Sequence, residues 1–451
     1  MAPILKLQKV TDLASEGFGV IRAEGHPAIL VPFTVEDEIV DIALIRRKRQ
    51  VWYAEALKWH QESPHRVSPS CGDFGMCGGC RWQMMDYFHQ LYHKRRFVEQ
   101  NLHHIAKLSV PVPAVKPSPH IWHYRNKAEY TFGSDPEKGI QLGFHPRGDF
   151  ATVIGITQCQ LVPPVFEQIR KAVMDQARAL SLPPYDPKRH TGLLRQLIVR
   201  GTSEQLVVLL SLAEDRPEIA ESLLAPLWET IPSLKGTGYF FNPKRNESMH
   251  DLFPVLLQGD LHLTFSLAGR TYLVGPKDFF QVNLAQAENM ISWIRSRLPE
   301  TVPVMYDLYG GVGLFGVALA DIAEEVVLVE KLPEAVRSAQ KNFENNQIFF
   351  PKTKWSMFEG ALEKLWKAPL GLSQKSTAII DPPREGLHPR VRRTLLQLPV
   401  ENLFYVSCHP ATQARDLIEL QERYTIIEVQ PFDLFPHTTA VENIAWLQRK
   451  N

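Results

Sequence analysis

The chain has 451 residues, 44% of them hydrophobic and 22% charged, with a formal net charge of +1; it is too long for one ordinary core, so two or three domains are expected. No apolar run reaches membrane-spanning length and MAPILKLQKV lacks the long apolar stretch of a signal peptide, so a soluble cytoplasmic protein with reduced thiols and no membrane partner is expected. A net charge this small does not announce a nucleic-acid partner, and any polyanion contact must come from local patches.

The first 58 residues alternate in short runs (LKLQKV, GFGVIRA, PAILVP, EIVDIALI, VWYAEAL) broken by turn residues. Five such strands predict a small barrel of OB type, an architecture that holds RNA but also serves as a plain packing module. This stretch balances eight Lys+Arg against eight Asp+Glu, with Arg46, Arg47, Lys48 and Arg49 adjacent. Residues 59–130 carry nine basic and five acidic side chains and half of the sixteen histidines. Such clusters are more often solvated faces than binding patches.

Within CGDFGMCGGC, Cys71, Cys77 and Cys80 lie among four glycines that let the backbone fold tightly enough for three sulfurs to converge. Cys159 in GITQCQLVPP is the available fourth ligand. Four thiolates suit structural zinc or an iron–sulfur cluster. The grouping of three plus one is more like a cubane [4Fe-4S] site than the paired knuckles of zinc. A helix from about Tyr87 to Ala106, carrying Lys94, Arg95 and Arg96, follows. Strand-like runs then dominate to about residue 280, with one helical interruption near 165–180, giving residues 59–284 an α+β character.

From about 285 to 451 strands and amphipathic helices alternate: VPVMYDLY, LFGVALADIA, EEVVLVE, PEAVRSAQKNFENN, STAIID, PRVRRTLLQL, LFYVSC, ATQARDLIELQERY. This pattern predicts a doubly wound, mostly parallel sheet. Gly311-x-Gly313-x-x-Gly316 sits between a strand and a helix and taken literally is a dinucleotide fingerprint. Asp307, three residues before the glycines begin, would oppose a pyrophosphate but could accept hydrogen bonds from an ammonium. Glu330 ends the next strand, where an acid holds ribose hydroxyls. S-adenosylmethionine fits this pair better than NAD. Asp381, in DPPREG, and Cys408, in LFYVSCHP, end the following strands and should face the same crevice. On position alone Cys408 reads as a packed thiol.

With these residues in place, the chain resembles the RNA 5-methyluridine (uracil-5) methyltransferase family. The likeness is greatest to the 23S ribosomal-RNA branch with an N-terminal TRAM barrel and a [4Fe-4S] cluster. It rests on CGDFGMCGGC with Cys159, then GPKDFFQVN, DLYGGVGLFG, DPPREG, YVSCHP and FPHTTAVEN, in that order. The resemblance implies a Rossmann-like S-adenosylmethionine-dependent domain behind the OB-type barrel and the α+β middle region, and RNA as partner; no protein partner is implied. It makes Cys408 the nucleophile that adds to carbon-6 of uracil and Glu442 the base that removes the carbon-5 proton. Gln281 and Asp381 would hold the polar edge of the base, with Arg384 beside them, and Phe279 would stack on it. Gln281, Asp307, Tyr309, Gly311, Gly313, Glu330 and Asp381 would form the cofactor wall.

The chain departs from the family pattern at His409, where asparagine or aspartate is more usual, and at Ala440, where many relatives have histidine. Gly310 stands where cysteine is frequent, and FEGALEKL displaces an expected acid, offering Glu359 and then Gly360. His409 is expected to stand in for the missing histidine near Glu442. A transfer-RNA substrate, a non-catalytic RNA-binding or assembly protein, and a nicotinamide oxidoreductase are the alternatives.

Overall fold

A computed structural model describes residues 3–362 and 376–450. Strands β1 (Ile4–Leu13), β2 (Phe18–Ile21), β3 (Ile29–Pro32), β4 (Ile39–Lys48) and β5 (Val51–Gln61) close into a barrel in the order β1-β2-β3-β5-β4. Alternation sends Val10, Ile21, Ile29, Val31, Val40 and Ile42 inward to fill it. The Arg46–Arg49 run lies at the tip of the β4–β5 hairpin and is exposed. The cysteine-bearing segment leads into α1 (Tyr87–His104), whose N-cap Asp86 accepts the His89 N–H.

The middle region contains β6 (Lys127–Asp135), β7 (Gly139–Gly143), α2 (Pro164–Ala179), β8 (Leu194–Gly201), β9 (Leu206–Leu212), α3 (Pro217–Leu224), α4 (Leu227–Thr230), β10 (Leu234–Phe241) and β11 (Pro254–Gly259). Its strands form one sheet ordered β11-β10-β9-β8-β6-β7, and β12 (Leu263–Leu267) pairs with β13 (Arg270–Val274) beside it. Every residue of β8 and β9 is buried. Leu197, Val199, Val208 and Leu210 face the core under α2, while Ile198, Val207 and Leu209 join the core of the following sheet. A strand covered on both faces reads as a continuous apolar run, which LVVLLSL is. Helix α3 and strand β11 had no signal of that kind. The helix has two turns, and the strand is a largely exposed edge.

The remaining elements are α5 (Leu284–Arg295), β14 (Val302–Leu308), α6 (Leu314–Leu319), β15 (Ala323–Glu330), α7 (Pro333–Asn346), β16 (Lys354–Glu359), β17 (Ser376–Ile380), α8 (Pro389–Gln397), β18 (Val400–Ser407), α9 (Pro410–Leu420), β19 (Tyr424–Phe432) and β20 (Glu442–Arg449). The sheet runs β16-β15-β14-β17-β18-β20-β19. Its first four ladders are parallel, as the strand–helix alternation predicts, and β20 is inserted antiparallel between β18 and β19. The strand order reverses between β14 and β17, which opens a ligand crevice at the carboxyl ends of the strands. This is a doubly wound α/β domain behind an N-terminal barrel and an α+β middle region. Among the described residues, no helix is long and apolar enough to cross a membrane.

Candidate active site

Tyr309, Glu330, Gly360, Asp381 and Cys408 all lie at the carboxyl ends of parallel strands, at or just beyond the last residue. Glu442 reaches the same edge from the opposite direction. Ser407 pairs with Asn443 across the β18–β20 ladder, so the next residue of each strand, Cys408 and Glu442, emerge side by side. The antiparallel insertion is what brings the thiol and the carboxyl together.

Electrostatically, Cys408, Glu442, Asp381 and Arg384 form one group. Burial pushes the Cys408 thiol up to about 11, and the Glu442 carboxylate adds to the effect; the Arg384 guanidinium, hydrogen-bonded to the sulfur, opposes it. Burial also holds the Glu442 carboxyl well above the usual range, reinforced by Asp381 and opposed by Arg384. Glu442 Oε1 is buried and has no hydrogen-bond partner. Burial raises Asp381 to about 7. Phe279 is 71% exposed, an unusual position for a large ring. Together with the neighbouring Phe280 it lines a cavity of about 450 Å³. Gln281 is buried, and its carbonyl accepts the Asn126 side-chain N–H at 2.9 Å.

On the other side of the crevice, Asp307 is buried and Oδ2 accepts the Gly316 N–H at 2.8 Å, tying the start of α6 to the end of β14. A Cβ on Gly316 would lie 2.9 Å from that oxygen, so only glycine permits the approach. Burial raises Asp307 to about 7; the Gly316 N–H opposes the shift, and Asp381 and Glu330 add to it. Glu330 accepts from the N–H groups of Gly311 (3.1 Å) and Leu332 (2.8 Å), which fixes its carboxylate beside the loop. Tyr309, Gly311 and Gly313 all take positive φ in this turn, and Gly313 begins α6. A cavity of about 210 Å³ opens between Tyr309, Glu330, Gly360, Leu362 and His388. The row of carboxyls, with the smaller cavity beside Glu330, is suited to a ligand bearing positive charge.

These carboxyls fix a stability trend. In the unfolded chain Asp307 and Asp381 ionise near 3.8, and in the folded protein near 7. Between those values the native state binds more protons, so stability falls as pH rises through the window. Denaturant midpoints of the ligand-free protein should decrease from pH 5 to pH 8. Asp307→Asn, which keeps an acceptor for Gly316, should flatten the slope.

The departures from the family pattern have physical accounts. His409 is exposed and caps α9, with Nδ1 accepting the Thr412 N–H at 3.3 Å. Asparagine and aspartate are preferred caps at such a position. His409 therefore takes over the cap, and that nitrogen is committed to the helix rather than to Glu442. At Gly310 a Cβ would lie 2.7 Å from Leu328 Cγ, so Leu328 fills the room a side chain would need. Glu359 is exposed, and Gly360, whose N–H binds the Glu330 carbonyl at 2.8 Å, is the residue that lines the smaller cavity.

Five residues that sequence reasoning passed over hold the loop before Glu442. Lys94, in a basic run that reads as a solvated face, is 0% exposed. Its Nζ lies 2.6 Å from Asp433 Oδ1 and 3.0 Å from the Phe435 carbonyl. Gln90 accepts the His437 N–H at 3.0 Å, and the His437 ring stacks on Trp122 at 3.8 Å. The His437 carbonyl accepts from both Arg81 N (2.9 Å) and Trp82 N (3.1 Å), the two residues after Cys80. Lys94→Met would leave Asp433 buried and unpaired, a loss of about 3–5 kcal/mol that a denaturation curve would register. Adding Asp433→Leu should recover most of it, because no buried charge then remains.

The four cysteines Cys71, Cys77, Cys80 and Cys159 line the larger cavity that Phe279 also lines. Their fit to a metal centre can be tested by spacing. A single zinc ion, with Zn–S bonds of about 2.3 Å, draws its four sulfurs to about 3.8 Å from one another. Among the described residues, no three of these sulfurs lie within 4.8 Å of one another. Four thiols on one cavity are a donor set that a metal centre could use.

The family model for tRNA (Uracil-5-)-methyltransferase matches residues 260–450. An uncharacterized RNA methyltransferase of Bacteroides thetaiotaomicron is 33% identical, over 97% of this chain and 100% of its own. Another from Porphyromonas gingivalis is 31% identical over 98% and 99%. Among solved structures, the tRNA (uracil-54, C5)-methyltransferase of Pyrococcus abyssi, in complex with S-adenosyl-L-homocysteine, superposes with a TM-score of 0.77. It is 26% identical and covers 98% of this chain and 100% of its own.

Proposed function

Because the chain belongs to the RNA uracil-5 methyltransferase family and is an S-adenosylmethionine-dependent enzyme acting on RNA, we propose that it methylates carbon-5 of a uridine in 23S ribosomal RNA through a covalent adduct on Cys408. The observation that carries the reading is the convergence of Cys408, Glu442, Asp381 and Arg384 into one interacting group around the buried Glu442 carboxyl.

Carbon-5 of uracil is a weak nucleophile. Addition of the Cys408 thiolate to carbon-6 turns the ring into an enolate and makes carbon-5 nucleophilic. Arg384 favours the thiolate, and Asp381 with Gln281 holds the polar edge where the enolate charge gathers. S-adenosylmethionine supplies the methyl group, and Asp307, Glu330, Tyr309, Gly311 and Gly313 form its side of the crevice. Glu442 then takes the carbon-5 proton, and the bond from Cys408 to carbon-6 breaks to release the product. Phe279, exposed two residues before Gln281, offers a stacking face for a base drawn out of the RNA.

The cysteine-lined cavity supports a [4Fe-4S] cluster held by Cys71, Cys77, Cys80 and Cys159, which would cross-link four points of the chain. Iron and acid-labile sulfide in equal amounts, lost together in Cys159→Ser, is the expected composition; stoichiometric zinc would replace this reading.

The substrate is the finer question. A barrel and a cysteine cluster favour ribosomal RNA. The whole-chain likeness to an archaeal enzyme that acts on tRNA favours a second reading, in which transfer RNA is the substrate. Mass mapping of both RNA classes from cells lacking the protein separates them. One missing 5-methyluridine in 23S RNA supports the first reading, and one in tRNA supports the second.

A further inference from the structure

Outside the crevice and the cysteine cavity, one cluster of ligating side chains has no part in the reaction. Glu36 lies on the connection between β3 and β4 of the barrel, and His89 and His93 lie four residues apart on one face of α1. His93 Nε2 is 3.1 Å from His89 Nε2 and 3.5 Å from Glu36 Oε2, and His89 Nε2 is 4.0 Å from the same oxygen. A tetrahedral zinc ion with bonds of about 2.0–2.2 Å to nitrogen and oxygen sets its ligand atoms about 3.3–3.6 Å apart. The observed triangle brackets that edge length. Among the described residues, it is the one group of three or more such atoms within 4.8 Å.

Hydrogen bonding explains the triangle poorly. The 4.0 Å side is too long for a bond and the 3.5 Å side is at the limit, so one ordinary bond would hold three groups together. His93 is fully buried and its Nδ1 has no partner, so the ring's polar contacts are all made at Nε2, toward His89 and Glu36. Glu36 divides its oxygens. Oε1 lies 3.7 Å from Arg96, which also binds Asp12, and Oε2 faces the imidazoles. The His65 ring stacks on His89 at 3.8 Å, with its Nδ1 2.7 Å from Asp86, and fixes the ring plane. Side-chain exposures of 22%, 11% and 0% for Glu36, His89 and His93 leave one side open to water.

We propose that Glu36, His89 and His93 form a binding site for a divalent transition ion of the zinc class, completed by water, which staples the barrel to α1. The site stands independently of the reaction assigned above. The same helix, one residue on from each histidine, carries Gln90 and Lys94, so the ion would stiffen the support of the loop before Glu442.

The test is a Co²⁺ titration of the tag-free full chain, followed by visible absorption, after weakly held metal has been removed by a chelator. One equivalent should bind with d–d bands and no sulfur-to-cobalt charge transfer. His89→Gln and Glu36→Gln, both at partly exposed positions and checked for folding by circular dichroism, should weaken binding at least about tenfold. Cys159→Ser should leave that component in place, and Zn²⁺ should raise the melting temperature of the parent but not of His89→Gln. Absence of the d–d component, its persistence in both variants, or a melting temperature indifferent to Zn²⁺ overturns the site and leaves a hydrogen-bonded triad.

Discussion

Replacing Cys408 by alanine should lower single-turnover methylation of RNA by at least about 10⁴-fold, as expected for loss of a covalent nucleophile. Binding of S-adenosylhomocysteine and of RNA should stay within a few-fold of the parent, because the thiol is not part of the cofactor wall. The protein holds this thiol above the ordinary cysteine range, at about 11, so near pH 7 only a small fraction carries the thiolate. The rate should therefore climb with pH through the neutral range, and Arg384→Met should depress it by removing the cation that favours the thiolate. A Cys408→Ala protein that still methylates uridine at a comparable rate would refute the adduct mechanism while leaving family and fold untouched.

The second large effect is expected at Glu442. Glutamine is nearly isosteric, so the ladders to β18 and β19 survive, but no base remains to take the carbon-5 proton. Turnover should fall by about 10²–10⁴-fold, and a protein–RNA adduct carrying the methylated base should accumulate. It would appear as a slow band on a denaturing gel, absent when Cys408 is also replaced. The burial that raises the Glu442 carboxyl also suits it to the task, because a stronger base is matched to a carbon acid. Normal turnover in Glu442→Gln would exclude it as the base. Stalling without an adduct would move its role to a step before Cys408 attacks.

The elements most legible in the sequence are those whose pattern is local. The five barrel strands show in their alternation, and PEAVRSAQKNFENN spans α7 from first residue to last. The parallel part of the sheet was readable because buried strands alternate with amphipathic helices. What escaped depends on partners distant in the chain. Nothing near Lys94 announces that Asp433 will bury it, and the adjacent arginines suggest a solvated face. FPHTTAVEN is recognisable as a motif, yet neither its turn nor the strand after it shows in periodicity, because β20 takes its place from β18 and β19. His409 shows the limit of motif comparison. The departure looks chemical in the sequence, and the structure gives the residue a capping bond that asparagine would also make.

The place of β20 has a consequence for how the molecule is made. It follows every other strand of its sheet in chain order, yet it pairs between two of them. Until it arrives, β18 and β19 lack their shared neighbour and Cys408 lacks the carboxyl beside it. A growing chain can therefore complete the barrel, the cysteine segment and the parallel strands while the carboxyl that faces Cys408 is still outside the sheet. The closing of the sheet and the meeting of thiol and carboxyl are one folding event.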